Sequence, residues 1–444
     1  MIKFLLYKMN NLQRQKAIQT QSKVKHILTR NEKNAILSPE KIKPGGAEMA
    51  EKQKLIIGAD PGFDGFKLTF MMKGEENYVK VYNIPFSAIP LNGREKKRIS
   101  SFSVKQNIMY ETDGKLVLIG QKAREELMDE EVYKIYRSSV ETFSNIERFD
   151  TDLFKQAMMA GILFGMYLFA EEYKEEKGKV PYELDNVGIP VYIGVALPHG
   201  YFEDYVDTIK GYVTRRHEGT LYAGDRELKV DFTPEHTVVS SQAVMVLVAQ
   251  MYDDDGNMIK EPAVPQLILD AGYRTLGKVK ISSAATFGLH DASDTTMAMA
   301  NIDEEVIEAF NSIPKKYNTV LTKDVIAAGE KEREYIDKDG RMAVFKINDE
   351  KDKIIRKKIA ELEESLESEY SGFMNIEQIS FAGGTGKAYY EPFIDILKEK
   401  GLERVAERTK LIRGRIGGKE YDPVYTVSIG ECLSVLSMLK AEGK

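Results

Sequence analysis

Leu267-Ile268-Leu269-Asp270-Ala271-Gly272, running on to Thr275, carries the architecture of this chain because it restates an earlier stretch. That stretch, Leu55-Ile56-Ile57-Gly58-Ala59-Asp60-Pro61-Gly62, begins the same pattern so that its aspartate falls 210 positions before Asp270, and it runs on to Lys67. In each copy an apolar strand delivers one carboxylate to the start of a turn. The glycine two places later lets backbone amides approach a phosphate without a Cβ in the way. One Asp-x-Gly turn alone reads more readily as a plain hairpin. Two of them, each leading into an outgoing strand, imply two related half-molecules with a cleft between them.

Outward from these turns, Leu55 to Ala59, Phe66 to Met72 and Tyr78 to Ile84 read as a meander of three strands. Mixed helical and turn sequence is expected up to Lys179. It includes Ala157 to Ala170, an apolar run too short to span a bilayer and read as a buried core helix. Val191 to Leu197 and Leu228 to Phe232 read as strands, and Ser240 to Met251 as a helix. Asp253-Asp254-Asp255-Gly256 and the prolines at 262 and 265 mark a boundary, beyond which Leu267 to Asp270 and Gly277 to Ser282 start a second meander. Residues 303–370 read as mostly helical, with Ile355, Ile359, Leu362 and Leu366 on one face. Gln378 to Phe381 is a strand entering Ala382-Gly383-Gly384-Thr385-Gly386, with a helix from about Ala388. Ser428-Ile429-Gly430 precedes a closing amphipathic helix carrying Leu433, Leu436 and Leu439.

A chain of 444 residues exceeds what one hydrophobic core usually supports, so two domains are expected. Cys432 is the only cysteine, which excludes an intrachain disulfide and points to a cytoplasmic setting. The formal charge of -6 is unevenly spread: residues 1–54 hold twelve Lys or Arg against four Glu, leaving -14 on the remainder. So acidic a body argues against a general nucleic-acid groove, though not against contact through an adaptor protein. The tail reads either as a basic arm for membrane or nucleic acid or as sequence outside the folded unit, and the second is favoured, with Met49 as a possible alternative start. Its apolar core is too brief for a signal peptide.

Magnesium takes oxygen ligands, keeps several waters, and is commonly held by one or two carboxylates together with substrate phosphates, so Asp60 and Asp270 form the natural metal pair. Around them Gly62 and Gly272 allow amide contact, Lys67 supplies a cation and Thr275 a hydroxyl. The third loop has Gly386-Lys387 after a strand, as a Walker A segment does. A Walker A requires glycine where this chain has Phe381 and Ser or Thr where it has Ala388. Gly383 to Gly386 is better read as a flat floor beneath a nucleoside, beside a helix N-terminus. Hydrolysis also needs a group that orients water. Glu235, in Thr233-Pro234-Glu235-His236, is the candidate. His236 and His290 are expected to be structural, since the five histidines lack metal-ligand spacing.

The ordered set Asp60-x-Gly62 to Lys67, Asp270-x-Gly272 to Thr275 and Gly383-Gly384-Thr385-Gly386 resembles the phosphate-1, phosphate-2 and adenosine motifs of the actin, sugar kinase and heat-shock chaperone ATPase superfamily. Within it the chain is most similar to the plasmid-segregating bacterial actins of the ParM/StbA family, from about Leu55 to the end. The resemblance implies an α/β fold of two ribonuclease H-like domains, at residues 55–256 and 257–427, with 428–444 returning to the first, hinged around Mg-ATP. It implies that Asp60 and Asp270 hold hydrated Mg²⁺, Glu235 activates water, and Gly383 and Gly384, with Thr385 and Gly386, contact the nucleoside. ATP is the implied nucleotide; a glycine floor leaves GTP open. The implied activity is assembly into a homopolymer on ATP and disassembly after hydrolysis, moving plasmid DNA through a DNA-binding adaptor. Two departures stand out. Phe63-Asp64 occupies the place where actins commonly have Ser, removing a hydroxyl and adding a carboxylate. Tyr273-Arg274 replaces small residues, leaving Arg274 either to reach a γ-phosphate or to pair with surface acids. The alternatives are a sugar or carboxylate kinase on the same fold, and a nucleotide-regulated cytoskeletal scaffold anchored by the basic tail.

Overall fold

The meander read from the first turn forms β1 (Lys54–Pro61), β2 (Gly65–Lys73) and β3 (Tyr78–Pro85), paired antiparallel with Asp60 opposite Lys67. The computed structural model describes residues 53–74, 76–91, 108–143, 146–283, 286–287, 292–294, 296–327 and 329–443; the tail reading and His290 lie outside them. After β3 come β4 (Ala88–Leu91), β5 (Ile108–Thr112), β6 (Lys115–Ile119), α1 (Gln121–Glu126), α2 (Glu130–Phe143), a 3-10 turn at Ile146–Asp150, α3 (Asp152–Lys177) and β7 (Val191–Leu197). Next are α4 (His199–Thr214), β8 (His217–Ala223), β9 (Arg226–Phe232), β10 (His236–Ser241) and α5 (Gln242–Met251). The first sheet runs β10-β7-β1-β2-β3, with β7 parallel to both β1 and β10.

The second half repeats the arrangement. β11 (Gln266–Ala271) pairs antiparallel with β12 (Leu276–Ser283), to which β13 (Thr286–Phe287) and β14 (Ala292–Asp294) add. α6 (Met299–Asn311), α7 (Lys323–Ala327), β15 (Glu332–Ile336), β16 (Met342–Lys346) and α8 (Ile347–Glu369) follow. β17 (Gln378–Ala382) then lies parallel to β11, exactly where β7 lies beside β1 in the other half, and β18 (Thr409–Leu411) lies parallel to β17. Between them run α9 (Gly383–Glu399) and α10 (Glu403–Glu407); two short strands, Arg415–Ile416 and Lys419–Glu420, precede the last helix, α11 (Thr426–Ala441).

Both hairpin strands are continuous apolar runs because both of their faces are covered. Leu55, Ile57 and Ala59 of β1 face the core built with α3, while Ile56 faces α11. In β11, Leu267, Leu269 and Ala271 face the core shared with α6, α8 and α9, and Ile268 faces α5. The two sheets thus present their inner faces to a pair of helices, α5 and α11. Two close approaches bring these elements together: a Cβ on Gly58 would lie 1.9 Å from the Ser428 carbonyl oxygen, and one on Gly430 would lie 2.1 Å from that of Met245. Ser428 also shares a 2.9 Å hydrogen bond with Thr69 of β2.

α3 begins one turn before the apolar run, capped by the Thr151 hydroxyl, which accepts from the Phe154 amide. By length and composition α3 and the segment Pro423–Ala441 could each cross a bilayer, yet α3 is buried here against β2, where Gly161 and Gly165 meet the rings of Phe66 and Phe70.

Four expectations need correction. The region before Lys179 holds strands as well as helices: β4, β5 and β6 join β8 and β9 in a separate five-stranded sheet, β4-β6-β5-β8-β9. Residues 303–370 are interrupted by the β15–β16 hairpin, whose alternation and Asp339-Gly340 turn outweigh its charged, helix-like composition. The helix expected at Ser240 starts at Gln242, because Ser240 and Ser241 complete β10 beside β7. Finally, Ser428 to Gly430 lie inside α11, which is buried on more than one side rather than amphipathic.

Candidate functional site

The two Asp-x-Gly turns open on the same cleft, which encloses about 870 Å³ of space, part of it open solvent. Asp60, Gly62, Phe63, Asp64 and Lys67 line it from the first turn, Asp270, Gly272, Tyr273 and Thr275 from the second, and Gly383 and Gly384 from the start of α9. Arg274, Thr385 and Gly386 are not among its lining residues, although Thr385 Oγ1 donates to the Gly272 carbonyl at 2.9 Å and so fastens α9 to the second turn. The glycines form the first turn of α9 itself, not a loop before a helix starting near Ala388. Gly383 has φ 81°, and a Cβ there would sit 2.4 Å from the Ala271 oxygen and 3.0 Å from Asp270 Oδ1. Glycine is required for that contact.

The two carboxylates sense each other. Burial, then the neighbouring Asp60 charge, push the Asp270 carboxyl up to about 7, against the pull of Lys67. Burial also raises Asp60, opposed by Lys67, by a hydrogen bond from Gln242 and by Arg148. Lys67 Nζ lies 3.9 Å from Asp60 Oδ2, and Gln242 Nε2 donates to Asp60 Oδ1 at 2.7 Å. A divalent cation fits this pair, since two buried, mutually repelling carboxylates gain from positive charge between them. Among the described residues no group of three or more His, Cys, Asp or Glu could hold a metal alone, so remaining ligands would be water and phosphate oxygens.

Glu235 is elsewhere. It is exposed, and its amide donates to the Val191 carbonyl at 2.8 Å, at the beginning of β7. The cleft adjoins the other end of that strand, past Leu197, where Pro198 and His199 line it. Seven strand residues span roughly 20 Å. The residue that the parallel β7–β10 pairing does carry to the cleft is Gln242, the first residue of α5. Reading 240–251 as one helix hid it. Had β10 been extended to Ser241, its strand-to-helix junction would have marked Gln242.

Three further residues were not legible as site components. His199 Nδ1 lies 2.6 Å from Ser241 Oγ on the cleft wall. Arg124 of α1 donates at 2.8 Å to both the carbonyl and the carboxylate of Asp64. Arg148, in the 3-10 turn, lines the cleft from beneath Phe63. Tyr273, on the cleft wall, donates its hydroxyl to Asp303, which Lys351 also binds. Arg274 is exposed, and its charge disfavours the ionisation of Arg148.

The actin-like protein Alp7A superposes with a TM-score of 0.59 at 14% identity, covering 88% of this chain and 98% of that one. The fold is actin-like. Bacillus thuringiensis ParM with AMPPNP matches this actin-like chain at TM-score 0.52 and 14% identity, covering 88% and 99%. The Alp12 filament structure matches at 0.50 and 14%, covering 87% and 99%. No protein-family model matches the chain, and no curated protein matches it. The two-lobed mixed-sheet architecture expected from the paired turns is thereby established, at a level of identity that speaks to fold alone.

Proposed function

We propose that this actin-like chain binds Mg-ATP between its two turns, assembles into a homopolymeric filament, and hydrolyses the nucleotide to disassemble. The observation that carries the reading is the convergence of Asp60 and Asp270, remote in sequence, on one cleft floored by Gly383 and Gly384. The solved ParM with AMPPNP and the Alp12 filament, similar in fold, support nucleotide binding and self-association. In this reading residues 55–256 and 257–427 are the two jaws, and 428–444 return to the first.

Asp60 and Asp270 would hold the magnesium, which when bound neutralises phosphate charge as the terminal P–O bond breaks. Lys67 adds a cation to that wall, and the turn glycines admit backbone amides. Gln242, fixed by its bond to Asp60, is placed to orient the attacking water through its carboxamide. It takes the role first given to Glu235. Movement of plasmid DNA in the cytoplasm, through a DNA-binding adaptor at a centromere, completes the proposal; it accords with a body too acidic to bind DNA directly.

Right-angle light scattering and pelleting with Mg-ATP, ADP, GTP and EDTA test it. Polymer that forms with Mg-ATP and decays as phosphate is released is expected. Absence of polymer in every nucleotide state, with ADP release dependent on a sugar or carboxylate acceptor, would identify a kinase instead.

A further inference from the structure

Arg148 is fully buried, yet it lies in the wall of a cleft read here as a phosphate site. Its guanidinium carbon stands 3.8 Å from the Phe63 ring centroid, 4.9 Å from Phe149 and 5.0 Å from Phe154. Nη2 donates to the Pro61 carbonyl at 2.8 Å and Nη1 to the Gly62 carbonyl at 3.5 Å, while Nε is buried without a partner. No carboxylate among the described residues forms an ion pair with it; the negative charge that acts on it is that of Asp60. Aromatic faces and neutral carbonyls compensate a guanidinium only in part. A cation so placed is short of an anion.

The carbonyls it holds belong to the first phosphate turn. In a trans peptide the N–H points away from the C=O, so drawing the Gly62 oxygen towards Arg148 turns the Phe63 amide the opposite way. Among the described residues nothing accepts from that amide. Phe63 also stands where a hydroxyl was missing from the expected pattern, and the carboxylate that follows it, Asp64, is neutralised by Arg124. The turn is therefore shaped from behind by two arginines rather than by a side chain of its own.

We propose that Arg148 is the positioning residue for terminal-phosphate recognition: it sets the Pro61–Phe63 turn so that the Phe63 amide meets the outermost phosphate of a nucleoside triphosphate, and its charge favours the triphosphate over the diphosphate. This rests on the nucleotide reading of the cleft. Arg148 does not itself touch the ligand. Lysine keeps the charge but lacks the planar fork that spans two carbonyls and stacks on a ring.

The test is calorimetric titration of the full chain with Mg-AMPPNP and with Mg-ADP, below the concentration that scatters light, for wild type, Arg148→Lys and Arg148→Gln, with thermal melts of each. Arg148→Gln should weaken AMPPNP on the order of tenfold or more while ADP changes by about twofold or less, as for loss of one charge-assisted contact. Arg148→Lys should restore only part of the difference. A parallel loss of both ligands with a lowered melting temperature marks a merely structural arginine and overturns the proposal. If the glutamine variant fails to fold, the lysine variant decides, and an unchanged AMPPNP-to-ADP ratio overturns it. Wild type that binds neither ligand overturns the nucleotide reading as well; wild type that binds, with variants that keep its ratio, overturns only the role of Arg148.

Discussion

Asp270 is where recognition and stability conflict. Burial, then the Asp60 charge, push its carboxyl up to about 7 from an ordinary 3.8, so between those values the folded chain keeps a proton that the unfolded chain has released. Its stabilising effect is therefore complete below about 4 and is lost as pH rises through about 7. Asp270→Asn removes the penalty. It should raise the melting temperature of the free protein at pH 8 by a few degrees, with little change at pH 4, while abolishing Mg-dependent nucleotide binding. Melts at both pH values and a nucleotide titration check this; a lower melting temperature at pH 8 would refute the electrostatic account. Gln242 and Glu235 divide equally sharply. Gln242→Ala should slow phosphate release on the order of a hundredfold, and Glu235→Ala, at the far end of β7, should alter it by about twofold at most. Single-turnover assays of both variants distinguish the two assignments.

α5 and α11 show how much a helix can owe to the absence of a side chain. Gly430 lets α11 close on the Met245 carbonyl, so Gly430→Val should lower the urea midpoint by an amount equivalent to about 1–3 kcal/mol, from overpacking at a backbone contact. A midpoint unchanged from wild type would mean that the two helices separate freely. Strands buried on both faces, such as β1, β7 and β11, were plain in the sequence because burial on two sides leaves an unbroken apolar run. The Asp-x-Gly turns were plain for the same reason: they end those runs. β15–β16 was obscured by Glu332, Arg333 and Glu334, whose charge reads as helix surface although the Asp339-Gly340 turn and the alternating Ala343 and Phe345 specify a hairpin. Arg148 had no local signal at all. Nothing around it in Ile146–Asp150 distinguishes a surface arginine from one folded beneath Phe63 by α2 and α3.

Across the molecule, the duplication legible in two turns extends to strand order, with an antiparallel partner on one side of each Asp strand and a parallel one on the other. That symmetry brings two aspartates from different halves to one ligand site, and the helices between the sheets set the distance across it. One member of that pair carries Cys432, the sole thiol of the chain, with no exposure to solvent and burial raising its pKa. Since the sequence also lacks tryptophan, the folded molecule presents no exposed native thiol and no native indole. A maleimide dye directed to one new cysteine on each lobe would find no exposed native competitor, and an indole placed at the mouth of the cleft, excited to the red of the tyrosines, would have no native indole beside it, so that jaw movement becomes readable without first removing any native residue.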